Sequence, residues 1–196
     1  MADQKTIDAY NAKATDYAKM VSRTTPDKDL RNFIDSVPKG GLVLDLGCGP
    51  GNSAAMMQAA GLIPEAMDAS AQMVELARTK YGLTVTHATF DDLNAIARYD
   101  GIWANFSLLH AAKSDMLRHL SAIHTALKPG GHFHIGMKLG TGEIRDTMDR
   151  MYTYYEDTEL KDKIQTAGFT LLNSRNDVMQ GMVSDAEPFI IITAHA

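Results

Sequence analysis

The run Leu42-Val43-Leu44-Asp45-Leu46-Gly47-Cys48-Gly49-Pro50-Gly51 constrains the fold of this chain more than any other stretch. Four apolar residues around one carboxylate suit a parallel strand covered on both faces. The glycines that follow let the backbone turn tightly and approach a ligand with no side chain in the way. Asn52-Ser53 then opens a helix. A strand, turn and helix in this order cradle nucleoside cofactors.

Two classes of cofactor use such a turn, and their charges differ. The dinucleotide fingerprint Gly-x-Gly-x-x-Gly sets a pyrophosphate on the helix N-terminus. Here the spacing is Gly-x-Gly-x-Gly, with Asn52 in the sixth position. Asp45 at the strand end repels a pyrophosphate and attracts a ligand that carries an ammonium and a sulfonium. The charge favours the methyl donor S-adenosylmethionine.

Residues 43–51 match the first motif of the class I S-adenosylmethionine-dependent methyltransferases, and on that motif the chain resembles this family. A second landmark agrees: residues 62–68 read as the next strand and end in Asp68, 17 positions after Gly51. A carboxylate there accepts hydrogen bonds from both ribose hydroxyls. Ala66 stands where the family often has glycine. The resemblance implies an α/β fold, a Rossmann-like doubly wound sheet of seven strands, mostly parallel with the last strand antiparallel and helices on both faces. It also implies a donor site of Asp45, Gly47, Cys48, Gly49, Gly51, Asp68, Ala69, Met73, Phe90, Asp91 and Asn105. The product would be S-adenosylhomocysteine.

The rest of the chain fits that alternation. Apolar and small residues at three- and four-residue spacing predict a helix over 6–21, and Thr24-Thr25-Pro26-Asp27 reads as the start of a second helix that Pro38-Lys39-Gly40-Gly41 ends. Ser70 caps a helix through Tyr81 that Gly82 stops. Strands follow over 83–87, 99–105 and 132–138, with a helix over about 114–127 that Lys128-Pro129-Gly130-Gly131 breaks. A helix over 158–167 and strands over 169–174 and 187–195 complete the chain. Its 196 residues suit one domain, with residues 1–38 as an N-terminal helical segment that closes over the cofactor as a lid or simply buries an apolar stripe.

Composition narrows the partners. The net charge is -5 and the 19 Lys and Arg are scattered, so no basic face offers itself to nucleic acid. No apolar run reaches the length of a membrane span, and no signal-peptide core opens the chain. One cysteine, Cys48, makes no internal disulfide, in keeping with a cytoplasmic protein. It reads as a small residue lining the cofactor pocket, with a nucleophile as the competing reading. The resulting expectation is a methyltransferase acting on a small-molecule acceptor, the alternatives being a non-catalytic binder of the donor or its product and a nicotinamide-dependent oxidoreductase.

Acceptor chemistry is less constrained. Methyl transfer from a sulfonium mainly requires donor and acceptor in line, and a base only when the acceptor carries a proton. His110, in the loop after the fourth strand, is the candidate base, against a histidine that caps the next helix. Tyr10, Tyr17, Lys138, Arg145 and Tyr152 are the candidate acceptor contacts. The two cations would hold an anionic group, while the competing reading of 138–155 is a solvated charged helix carrying a buried Tyr. His132 and His134 share a strand face without acidic or thiol partners at strand spacing, so no metal site is expected.

Overall fold

The computed structural model describes residues 2–179 and 186–196. Six α-helices, α1 (Gln4–Met20), α2 (Lys28–Ser36), α3 (Asn52–Ala59), α4 (Ala71–Tyr81), α5 (Met116–Ala126) and α6 (Asp157–Thr166), surround a seven-stranded sheet. The sheet strands are β1 (Leu42–Leu46), β2 (Ile63–Asp68), β3 (Val85–His87), β4 (Tyr99–Asn105), β5 (Leu127–Lys138), β8 (Thr170–Met179) and β9 (Glu187–His195); β6 (Glu143–Arg145) and β7 (Met151–Thr153) form a separate hairpin. The spatial order is β3-β2-β1-β4-β5-β9-β8. β1 to β5 run parallel, and β9 is antiparallel to both its neighbours. This is the Rossmann-like, doubly wound sheet with an antiparallel last strand.

Strand alternation divides the core. Leu44, Leu46, Ile102, Ala104, Phe133 and Ile135 point to one face, where Met116, Leu120 and Ile123 of α5 and Leu160 and Ile164 of α6 cover them. Val43 and Trp103 point to the other, against Leu30 and Phe33 of α2 and Met57 of α3. Ala66 and Val85 continue that face under Val74 and Ala77 of α4. Both faces are dry, which is why β1 is apolar at every position but Asp45.

Several boundaries differ from the sequence expectation, each for a local reason. Pro26 stands before α2, because Asp27 is the cap and accepts from Leu30 N at 2.9 Å. Leu83 packs under α4 after Gly82 and does not pair, so β3 begins only at Val85. Residues 128–131 end α5 as expected and continue in extended form, with Leu127 opposite Tyr99. In place of a charged helix, residues 143–153 make the β6–β7 hairpin. Its turn is tied by the Asp146 carboxylate, which accepts from the amides of Met148 and Arg150 at 2.9 Å each. No helix among the described residues is long and apolar enough to cross a membrane.

Candidate functional site

A cavity of about 270 Å³ opens where β1, β2 and β4 end, with α1 as its roof. Its floor is the glycine turn, and the turn is shaped by its neighbours. Gly47 has φ +74°, and a Cβ there would lie 2.4 Å from Ser107 Cβ. The amides of Gly47 and Cys48 both donate to Met67 O, at 2.9 and 3.0 Å, and Gly51 N donates to Cys48 O at 3.1 Å. Gly49 N donates to Asp68 Oδ2 at 2.8 Å, and Ser70 N to Asp68 Oδ1 at 2.8 Å. Asp45 Oδ2 accepts from Ala54 N at 3.1 Å, so a carboxylate already sits on the N-terminus of α3.

The turn amides of Gly47, Cys48, Gly49 and Gly51 are therefore engaged, and the helix end that would attract a pyrophosphate carries a negative partner at Ala54 N. Two carboxylates face the same cavity instead. Burial pushes Asp45 up to about 7; the Ala54 amide opposes the shift and the charge of Asp68 adds to it. Asp68 is raised as well, chiefly by burial, against the pull of the Ser70 and Gly49 amides. A bound cation would relieve both. Each Asp68 oxygen accepts one amide and keeps a second lone pair for a hydroxyl.

The remaining donor-site residues divide by position. Cys48, Ala69, Met73, Phe90, Asp91 and Asn105 line the cavity with Asp45, Gly47, Gly49 and Asp68. Gly51 does not: at φ +84° it caps α3, and a Cβ there would press Ala77 Cβ and Leu83 Cδ1 at 2.8 Å, so its role is the close docking of α4. Burial raises the Cys48 thiol well above its ordinary range, which removes the nucleophile reading. Asp91 pairs with Arg118 at 2.6 Å. Asp92 closes the turn by accepting from Thr89 N at 2.8 Å, so capping is not the work of Asp91. Asn105 Oδ1 accepts from His134 Nε2 at 3.0 Å. His134 itself is buried and stacked on Trp103 at 3.7 Å, and burial pulls it down to about 3.

The roof carries the two tyrosines. Tyr10 and Tyr17 both line the cavity, their rings perpendicular at 5.4 Å. Polar contacts along its length hold α1 in place. Asn11 Oδ1 accepts from Ser70 Oγ at 2.8 Å, Val21 O from Asn52 Nδ2 at 2.8 Å, and Thr6 Oγ1 from Met151 N at 2.8 Å. Arg145 pairs with Asp3 at 2.8 Å.

His110 lines the cavity with both nitrogens engaged. Nδ1 is 2.6 Å from Met151 O and so carries the proton; Nε2 accepts from the Tyr10 hydroxyl at 2.8 Å. Burial, against the opposing Met151 hydrogen bond and with the help of the Arg150 and Lys138 charges, lowers this histidine to about 4. It is neutral near pH 7 and poorly placed to take up a proton.

Lys138, Arg145 and Tyr152 lie outside the lining. Lys138 pairs with Glu187 at 2.7 Å and stacks over Tyr152 at 3.9 Å; Arg145 is held by Asp3; and the Tyr152 ring packs behind His110 at 4.7 Å. The anion-holding wall expected from the sequence is not brought to the cavity, because each cation meets a carboxylate on the way. Conversely, the lining includes Thr6, Ile7, Trp103, Ser107 and His119, which sequence reasoning passed over. Trp103 is the register partner of Asp45 and shares a strand face with Asn105, a signal the alternation of β4 already carried. Ser107 donates to Leu46 O at 2.6 Å and abuts Gly47, a contact no local pattern announces.

Residues 43–131 match the family model described as a methyltransferase domain. Over that segment, less than half of its length, the chain is similar to methyltransferase domains. The chain is 31% identical over 124 residues, 61% of its length, to the malonyl-[acyl-carrier protein] O-methyltransferase of Pseudescherichia vulneris, and spans 47% of that relative. In fold it is similar to the 1,6-didemethyltoxoflavin-N1-methyltransferase of Burkholderia thailandensis, crystallised with 1,6-didemethyltoxoflavin and S-adenosylhomocysteine. There the TM-score is 0.76 at 21% identity, over 98% of this chain and 87% of that one. A Haloferax volcanii methyltransferase in complex with the Trm112 activator gives a TM-score of 0.72 at 20% identity, over 97% of each chain. The [4+2]-cyclase SpnF gives 0.70 at 18% identity, over 86% of this chain and 79% of that one. The matched segment contains the cavity floor, while α1 and the hairpin lie outside it.

Proposed function

We propose that this protein transfers a methyl group from S-adenosylmethionine to a small-molecule acceptor that enters beneath α1. The carrying observation is the pair of carboxylates, Asp45 and Asp68, on a turn whose amides are already bonded internally. That arrangement fits a ligand with a cationic end and a ribose, and it repels a pyrophosphate. Asp45 would attract the ammonium, Asp68 would take the ribose hydroxyls, Met73 and Phe90 would pack against the base, and Asn105 would lie near the methionine part. When bound, the donor supplies an activated methyl on a sulfonium. The protein's own work is to hold the acceptor in line with it and exclude water, which the α1 roof with Tyr10 and Tyr17 is built to do.

Support for a small acceptor comes from the relatives: one is named for a malonyl group on a carrier protein, and another was crystallised with 1,6-didemethyltoxoflavin. The second reading, a protein that binds the donor or its product without turnover, is favoured by His110, whose two engaged nitrogens leave no evident base. SpnF, named as a cyclase on the same fold, illustrates that fold alone does not decide the reaction.

Calorimetry with S-adenosylmethionine, S-adenosylhomocysteine and NADH tests the donor assignment. The first two should bind and NADH should not. Asp68→Ala should weaken donor binding about 10- to 100-fold, the worth of one charge-assisted pair of hydrogen bonds. NADH binding alone would overturn the assignment. Acceptor-dependent formation of S-adenosylhomocysteine separates the enzyme from the binder.

A further inference from the structure

A buried histidine behind the cavity, His134, sets the direction of one amide in the cavity wall. Asp45 on β1 is in register with Trp103 on β4, and Asn105 follows Trp103 by two residues, so Asp45, Trp103 and Asn105 share a sheet face. His134 on β5 is in register with Trp103 from the other side and stacks on its ring at 3.7 Å. Its Nε2 meets Asn105 Oδ1 at 3.0 Å, while its Nδ1 is buried with no hydrogen-bond partner among the described residues.

That unpartnered Nδ1 fixes the sense of the pairing. Burial keeps the ring neutral, so it carries one proton. Were the Asn105 amide turned round, its nitrogen would donate to Nε2, and the ring proton would sit on Nδ1 as a buried N–H with nothing to receive it. With the oxygen toward Nε2 the proton is used, and only a lone pair of Nδ1 goes unmet. Room for the oxygen is made at Gly136, opposite Asn105 on β5, where a Cβ would lie 2.5 Å from Oδ1. No residue of β5 lines the cavity, whereas Asn105 does. The amide oxygen is thus turned to the sheet. The amide nitrogen has no hydrogen bond to any described residue and keeps access to solvent, so it is the polar end left to the cavity.

Asn105 therefore supplies N–H donors on the strand next to Asp45. Strand geometry sets the Cα atoms of the two residues about 8 Å apart. An amino-acid carbon bearing both an ammonium and a carboxylate fits between two side chains that reach in from those positions. Among the described residues, Arg23 is the single Arg or Lys in the lining, and it pairs with Asp27 at the exposed rim. An anionic group beside Asp45 is left to neutral donors.

We propose that the Asn105 amide nitrogen donates to the carboxylate of the methyl donor's methionine part while Asp45 meets the ammonium, with His134 as the positioning residue that holds the amide in that sense. The inference rests on the methyltransferase reading and gives the same site its preference for an intact amino-acid end. An amide oxygen in this place would instead compete with Asp45 for the ammonium and leave the carboxylate unmet.

Calorimetry on the whole protein compares S-adenosylhomocysteine with its decarboxylated analogue, which keeps the nucleoside, thioether and amine. The native protein should favour S-adenosylhomocysteine about 10- to 100-fold, the worth of hydrogen bonds to a charged group. Asn105→Ala should cut that ratio about tenfold and leave the affinity for the analogue unchanged. His134→Phe keeps a ring on Trp103 but loses the N–H, and it should cut the ratio as well. His134→Gln, whose amide can donate to Asn105 Oδ1, should restore part of it, a rescue that packing alone would not give. A nitrogen NMR spectrum of the native imidazole should show its proton on Nε2. Equal affinities for the two ligands in the native protein, a proton on Nδ1, or a His134→Phe variant that weakens both ligands alike overturns the proposal. Should His134→Phe fail to fold, the native comparison and the spectrum still decide. Failure to bind S-adenosylhomocysteine at all overturns the methyltransferase reading beneath it, so the two failures are told apart.

Discussion

Asp45 is the residue at which stability and binding oppose each other. Its folded-state pKa is raised from 3.8 to about 7, so its contribution to stability is complete below 3.8 and is lost as pH rises through about 7. Asp45→Asn should therefore raise the melting temperature of the ligand-free protein at pH 8 and change it little at pH 4, since the amide oxygen can still accept from Ala54 N. Donor binding should show the reverse sign. Below about pH 7 the carboxyl must release a proton to meet a cation, and affinity for S-adenosylhomocysteine should fall by up to about tenfold per pH unit. Calorimetry at pH 6, 7 and 8 checks this, and a flat profile in the native protein would remove Asp45 from the ammonium site. Gly51 is the other decisive single residue. Gly51→Ala should cost about 1–3 kcal/mol, because a Cβ there combines a left-handed backbone with contacts of 2.8 Å to Ala77 and Leu83. Chemical denaturation measures it. Asp45 and Asp68 were readable in the sequence, each being an acidic residue at the end of an apolar strand. The role of Gly51 was not, since its neighbours Ala77 and Leu83 come from the next helix and the loop behind it.

Among the elements, α1 and the β6–β7 hairpin depend on each other. Arg145 on β6 reaches Asp3, and Met151 N on β7 reaches Thr6 Oγ1. Arg145→Ala removes a partly exposed ion pair, too weak to unfold the sheet. It should instead speed amide exchange along residues 4–20 and shorten the residence of S-adenosylhomocysteine, with exchange in β1 and β4 unchanged. Equal protection of α1 in the variant would mean that Asn11 and Val21 anchor the roof without help. Each helix and sheet strand left a local signature, in capping residues such as Ser70 and Gly82 and in strand alternation. The hairpin left none. Its turn is set by one Asp146 carboxylate, and its pairing partner on α1 lies some 140 residues away, beyond the reach of any periodicity.

For the molecule as a whole, donor binding and folding are linked. A ligand that binds only the folded chain stabilises it by about 2.7 kcal/mol at a concentration of 100 Kd, and the melting temperature should rise with S-adenosylhomocysteine and not with NADH. The seven strands with the last antiparallel, the two covered faces and the position of the cavity at the strand ends followed from strand–helix alternation and the resemblance together, whereas the strand order was not read from the sequence. What escaped was the destination of charge. Lys138 and Arg145 look like anion anchors in sequence, and only the fold shows that Glu187 and Asp3 reach them first.

The cavity's floor and roof also belong to different parts of the chain. The floor is contained in residues 43–131, whereas the roof is a helix fastened by side chains and not by a backbone ladder. Such a roof is exchangeable. Replacing residues 4–20 and the 143–153 hairpin as a matched pair should leave the floor intact and redraw the opposite wall, so the cover of this cavity can be exchanged without rebuilding its foundation.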